Sequence, residues 1–208
     1  MSDKPTKEKA EKVVVPSVTG MVVYTDGGAR PNPGFGGFGI HGYLFDTTTP
    51  IKGIGLGPEV ASTVGYAPSK ELVSFAATPE LNTPEKILSA MDRSDKSWSV
   101  MPTSFIDAYG SLATMVTNNA CEIIGVNTAL QFAIDHQVKY IQIRTDSKLT
   151  RDAANEWVHG WARNGWITRD GAPVKNLELV KNLKRNLDTL ANNGSVVKID
   201  WIDRKSVV

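Results

Sequence analysis

The chain has a single cysteine, Cys121, in 208 residues. One thiol excludes an intramolecular disulfide framework and a metal cage made of cysteines alone, and it suits a reducing compartment, so a cytoplasmic location is expected. Long apolar runs are missing too. No stretch approaches the roughly 18 consecutive apolar residues that mark a membrane span, and the first twenty residues, MSDKPTKEKAEKVVVPSVTG, lack the apolar core of a signal peptide. A soluble chain without a membrane partner is the expectation. Charge of one sign is equally scarce, with a formal net charge of +1 and a pI near 7.8. The whole-chain balance therefore excludes a strongly basic nucleic-acid binder, and any attraction for a polyanion has to be local.

What is present suffices for one sizeable core: 41% of the residues are hydrophobic, and the length favours one main domain. Residues 1–19 alternate Lys and Glu with little to pack and read as a solvated tail, leaving 20–208 as the domain. Met21-Val22-Val23-Tyr24-Thr25 is short, apolar and β-branched, as a buried strand should be, and it ends on Asp26-Gly27-Gly28. A Gly/Pro-dense turn follows, and Phe38 to Phe45 resumes a strand pattern, so an antiparallel pair is predicted. Residues from about 46 to 103 lose periodicity and read as an insertion, with a short helix predicted around Pro84 to Met91, where Thr83-Pro84-Glu85 resembles a helix start.

A third strand is predicted within Phe105 to Thr114. From Ala120 to His136, apolar Ile123, Val126, Leu130 and Ile134 recur at spacings of three and four, which predicts an amphipathic helix with Glu122 in its first turn. Tyr140 to Thr145 is a fourth strand and closes on Asp146, as the first closes on Asp26. Helices near Lys148–Trp157 and Asn176–Leu190 and a last strand over Val196–Ile202 complete the pattern.

Strand ends and helix starts can bring together carboxylates that are far apart in sequence. Three hard oxygen donors, Asp26, Glu122 and Asp146, suit Mg²⁺ or Mn²⁺ far better than zinc. Singly, each acid has an ordinary explanation as a turn residue, a helix-dipole partner or an N-cap. Their order and context say more.

The motifs YTDGGARPNPGFGGFG, TNNACEIIGVNTAL, IRTDSKL and WVHGWARNGWITRDGAPVKN, followed by the strand IDWI, together resemble the type 1 ribonuclease H family in its bacterial form with a basic protrusion. The resemblance covers roughly residues 21–45 and 104–204. It implies an α/β fold with a mixed five-stranded sheet, its first three strands antiparallel, flanked by helices. It also implies an endonuclease that hydrolyses the RNA strand of RNA–DNA hybrids, leaving 5′-phosphate and 3′-hydroxyl ends. The family's Asp-Glu-Asp metal ligands match Asp26, Glu122 and Asp146, which would hold two Mg²⁺ ions, or Mn²⁺ as a substitute, about 4 Å apart across the scissile phosphate. One ion would activate the attacking water and the other stabilise the departing 3′ oxygen. A monomer is expected.

Telling RNA from DNA requires a group that senses the 2′-hydroxyl. Asn32, Thr117, Asn118 and Asn119 match family positions along the hybrid, and Gly27 and Gly28 would let backbone approach it closely. Trp157, Trp161 and Trp166 recur at helical spacing in a segment where Arg144 to Arg185 carries nine basic residues against five acidic. In the family this protrusion, about 157–175 here, holds the DNA strand. Trp161 is the expected contact and Trp157 the expected core residue.

Three departures stand out. The family continues past its last strand with a histidine-bearing loop and a helix carrying a fourth metal-site aspartate, whereas here Lys205 falls at the histidine's place and the sequence stops at Val208. The alternatives are a fragment, an enzyme working with three carboxylates, or a hybrid-binding module that cuts weakly or not at all. Asp203 is expected to be solvated rather than a substitute ligand. Lys148 stands where the family commonly has a polar amide, so it either contacts phosphate or is a solvated helix residue. The insertion is the third departure.

Overall fold

The computed structural model describes residues 20–45, 66–68 and 104–203. The predicted tail, the predicted helix near Pro84–Met91 and most of the insertion lie outside these residues. The described chain runs β1 (Gly20–Arg30), β2 (Gly34–Phe45), β3 (Tyr66–Pro68), β4 (Ser104–Val116), α1 (Asn118–Asp135), β5 (Tyr140–Thr145), α2 (Lys148–Asp152), a π-helical turn (Ala153–Trp157), α3 (Val158–Arg163), α4 (Leu177–Asn192) and β6 (Val196–Trp201).

The strands form one mixed sheet in the order β3-β4-β2-β1-β5-β6. β1, β2 and β4 are antiparallel, while β5 joins β1, and β6 joins β5, in parallel. These are the five strands the sequence predicts, with the first three antiparallel. The insertion adds one short antiparallel strand, β3, on the β4 edge. Two boundaries differ from expectation. β1 does not stop before Asp26: it continues to Arg30, because β2 offers pairing partners as far as Phe35. α1 begins at Asn118 because Thr117 caps it, its Oγ1 accepting from the Ala120 N–H at 3.2 Å. Glu122 is therefore the fifth helical residue, just past the first turn.

The core lies on the α1 side of the sheet. Met21 and Val23 of β1, Ile141 and Ile143 of β5 and Ile199 of β6 cluster with Ile123, Val126 and Leu130 of α1. Side chains alternate across a strand, so the next residues along, Tyr24 and Arg144, belong to the opposite face. Each fully buried aliphatic side chain contributes about 1.5–3 kcal/mol, which fixes both α1 and the strand register.

The π turn corrects the prediction for Trp157. The Val158 N–H bonds to the Ala153 carbonyl, five residues back. Val158 rather than Trp157 therefore stacks above Ala153 and is buried, and Trp157 is turned out, 37% exposed. Trp161 and Trp166 instead pack against the core, partly buried. The expected core residue Trp157 is thus exposed, while Trp161, the expected contact, is partly buried.

Candidate metal centre and adjoining grooves

The parallel pairing of β1 with β5 ends at Thr25↔Thr145. Asp26 and Asp146 are each the next residue, so two carboxylates 120 positions apart emerge side by side. Glu122 comes to them from α1. One oxygen from each of the three acids lies within 4.8 Å of the others, with Asp26 exposed, Asp146 intermediate and Glu122 buried at 6% exposure. At such spacing two ionised carboxylates repel by about 3 kcal/mol at an effective dielectric near 20, less where Asp26 meets water. A divalent cation reverses the sign of that term. An all-oxygen donor set without nitrogen or sulfur fits Mg²⁺ or Mn²⁺. The three acids singled out in the sequence form the cation-ligand cluster found among the described residues.

The approach of α1 to β1 depends on Gly27. A Cβ at this position would lie 2.4 Å from the Cys121 carbonyl carbon and 2.5 Å from the Glu122 nitrogen. Glycine is needed here to admit the helix carrying Glu122. Gly28 is different: a Cβ there meets nothing within 4 Å, and its backbone is open to a large ligand. Beside Gly27, burial pushes the Cys121 thiol above its ordinary value, and the neighbouring Glu122 carboxylate adds to the shift.

The asparagines are partly spent on building the site. The Ala29 N–H donates to Asn118 Oδ1 at 2.7 Å, and the Asn118 N–H donates to Asn32 Oδ1 at 3.1 Å. These bonds tie the β1–β2 turn to the start of α1 through the amide oxygens, so toward a ligand each side chain presents its Nδ2 donors. Thr117 acts as the N-cap. Asn119 is exposed, and with Asn32, Thr117, Trp157, Trp161 and Lys175 it lines a groove of about 850 Å³. A second concavity of about 1020 Å³ joins Asp26, Gly28 and Asn118 to Arg30, Phe35 and Tyr109. Lys148, exposed, holds its ammonium 4.4 Å from the centre of the Trp201 ring, whose Nε1–H donates to the Asp146 carbonyl at 3.0 Å. It stands beside the carboxylates with its charge on an aromatic face. Asp203 is exposed and outside the cluster.

Sequence reasoning missed residues on the sheet face away from α1. Tyr109, 91% exposed, projects from β4 beside Asp26. His41 and Asp107 share a cavity of about 570 Å³ with Asp26 and Asp146. Alternation along β4 puts Asp107 and Tyr109 on one face. Nothing in the sequence, however, shows that β2 and β4 set His41 opposite Asp107.

Among known proteins, the family model described as RNase H matches residues 92–204, just over half of the chain. Ribonuclease H of Rhizobium meliloti (strain 1021) is 44% identical over 86 residues, covering 41% of this chain and 52% of that protein. Ribonuclease H of Paracidovorax citrulli is 38% identical over 93 residues, covering 45% and 58%. The chain thus spans about half the length of the curated relatives it matches. Two solved structures share the fold at low identity. A foamy viral protease-reverse transcriptase in complex with double-stranded DNA has a TM-score of 0.52 and 18% identity, covering 92% of this chain and 86% of that one. LC9-RNase H1, a type 1 RNase H with the type 2 active-site motif, has a TM-score of 0.50 and 20% identity, covering 92% and 65%.

Proposed function

Because this chain belongs to the ribonuclease H family, we propose that it is an endonuclease that hydrolyses the RNA strand of RNA–DNA hybrids, leaving 5′-phosphate and 3′-hydroxyl ends. The observation that carries the reading is the convergence of Asp26, Glu122 and Asp146 within 4.8 Å, with Asp26 opening on the concavity lined by Gly27, Gly28 and Asn118. Asp26, Glu122 and Asp146 would hold two Mg²⁺ ions, or Mn²⁺, which would supply Lewis-acid charge for phosphodiester hydrolysis.

The protein's own residues do the rest. Glu122 is held rigidly by α1 and by the absence of a side chain at Gly27, so the ligand set is organised before substrate arrives. Gly28 backbone and the Nδ2 groups of Asn32 and Asn118 face the sugar edge, where a 2′-hydroxyl is both donor and acceptor. The groove with Trp157, Trp161 and Lys175 takes the DNA strand by stacking and charge. Among the described residues no helix is long and apolar enough to cross a membrane. A cytoplasmic, monomeric enzyme is part of the same proposal.

The test is cleavage of a labelled hybrid with Mg²⁺ or Mn²⁺, with duplex DNA, duplex RNA and Asp146→Asn as controls. Hybrid-selective cutting that disappears in Asp146→Asn is the expected result. Hybrid binding without cutting would refute the enzymatic reading and leave a binding module.

A further inference from the structure

Cross-strand register arranges the sheet face away from α1 in rows. One row contains Tyr109, Gly39, Asp26 and, just past the last paired residues of β1 and β5, Asp146. The adjacent row runs Asp107, His41, Tyr24, Arg144, Asp200 across β4, β2, β1, β5 and β6. In that row Arg144 donates to the Tyr24 hydroxyl at 2.6 Å, and His41 Nδ1 lies 2.6 Å from Asp107 Oδ1. Gly39 in the first row leaves open space, since a Cβ there would meet nothing within 4 Å. His41 is the diagonal neighbour of Asp26, and such positions are about 7–8 Å apart. It lines the same cavity as Asp26 and Asp146.

The His41–Asp107 pair is about half exposed, with side chains 53% and 52% accessible. Exposed pairs of this kind add little to stability, so folding gives it no evident reason to exist. Its chemistry does. A carboxylate on Nδ1 fixes the proton there and leaves Nε2 as an acceptor, and the ring lines a cavity shared with the cation ligands Asp26 and Asp146. The geometry points to His41, oriented by Asp107, as the proton acceptor for phosphodiester hydrolysis at this site. This rests on the hydrolytic reading above. The water oxygen bonds to phosphorus and the P–O3′ bond breaks. The proton lost by that water passes to Nε2 through one intervening water, and the departing 3′ oxygen takes its proton from solvent. Asp107 is a positioning residue that acts through His41.

The experiment is the pH profile of kcat for hybrid cleavage by the parent, His41→Ala, His41→Gln and Asp107→Asn. Among the described residues, the groups on the side of His41 are Asp107 and Tyr109 of β4, Tyr43 of β2, Tyr24 and Asp26 of β1, and Arg144 and Asp146 of β5 and its end. Both His41 variants are expected to lose about 100-fold in kcat with KM near the parent's, to lose the acid limb of the parent's profile, and to recover partly with added imidazole. Asp107→Asn removes the carboxylate that orients the imidazole, so its kcat should fall in the same direction as in the His41 variants with KM near the parent's. Unchanged kcat and acid limb in His41→Ala, with a parent that cuts, would overturn this inference alone. A parent that cuts no hybrid would overturn the hydrolytic reading and this inference with it. A readout independent of turnover is the imidazole NMR signal. Mn²⁺ should broaden His41 before His136 and His159, the other two histidines, and this selectivity should vanish in Asp146→Asn. Equal broadening of all three would overturn the placement.

Discussion

Adding one methyl group at Gly27 tests how the metal centre is built. The new Cβ would stand 2.4 Å from the Cys121 carbonyl carbon, 2.5 Å from the Glu122 nitrogen and 2.7 Å from the Cys121 oxygen, all backbone atoms. No rotamer change relieves such a clash. Ordinary contact begins near 3.4 Å, so the start of α1 has to retreat by roughly 1 Å from β1. Overpacking of this kind costs about 1–3 kcal/mol. At about 2–4 °C per kcal/mol for a domain of this size, the Tm of Gly27→Ala should fall by roughly 2–12 °C. The same movement carries Glu122 away from Asp26 and Asp146, beyond the roughly 0.5 Å tolerance of a working site. A 1 Å displacement can cost about 100-fold in rate. The assay combines thermal denaturation, the Tm increase on adding Mn²⁺, and hybrid cleavage. Gly27→Ala should fold, melt lower, lose most of its Mn²⁺ response and cut about 100-fold more slowly. Gly28→Ala, with open space at its Cβ, is the control for folding and cation response, and its stability should match the parent's within about 0.5 kcal/mol. Parental Tm and cleavage in Gly27→Ala would refute the argument that this glycine sets the position of Glu122.

Two other outcomes are expected. In hybrid-binding titrations at several salt concentrations, Trp157→Ala should lose about 1–3 kcal/mol of affinity at unchanged Tm, whereas Trp161→Ala should lose affinity and Tm together because its ring also packs on the core. Parental affinity in both variants would remove the tryptophan groove from the substrate surface. For Cys121 the folded-state pKa is raised above the ordinary thiol value of 9.0, so its contribution to stability is full below that value and is lost as pH rises from there toward the folded pKa. Denaturation from pH 7 to 10.5 should therefore show the parent losing stability relative to Cys121→Ala only above about pH 9, and parallel curves would contradict the shift.

The pairing of Asp26 with Asp146 was legible because each closes an apolar β-branched run, and two such runs in one sheet deliver their next residues together. Glu122 was legible from helical periodicity, although the Thr117 cap moved the helix start by two residues. Trp157 was misjudged for a physical reason: spacing arguments assume 3.6 residues per turn, and one π turn shifts the phase so that Val158 takes the buried position. The asparagine and glycine roles were half visible. Their types mark a turn near the site, but whether an amide oxygen bonds to backbone or a missing Cβ admits a helix depends on contacts made 86 to 95 positions away. His41 and Asp107 were invisible because their meeting depends on the register between β2 and β4, across an insertion with no sequence pattern to fix it.

The pairing of Thr25 with Thr145 ties the metal centre to the core in a way that constrains how this site can change. Side chains in a strand repeat every two residues, so a slip of β5 by one position would turn Ile141 and Ile143 out of the core and Asp146 away from Asp26 in a single step. The placement of the two ligands therefore has no separate determinant on which drift could act. Substitutions that preserve the apolar face of β5 preserve the ligand geometry as well, and those that loosen it damage folding before they retune chemistry. Variation in substrate preference must accordingly come from the turn, the groove and the outer row of the sheet, which can change without moving the carboxylates.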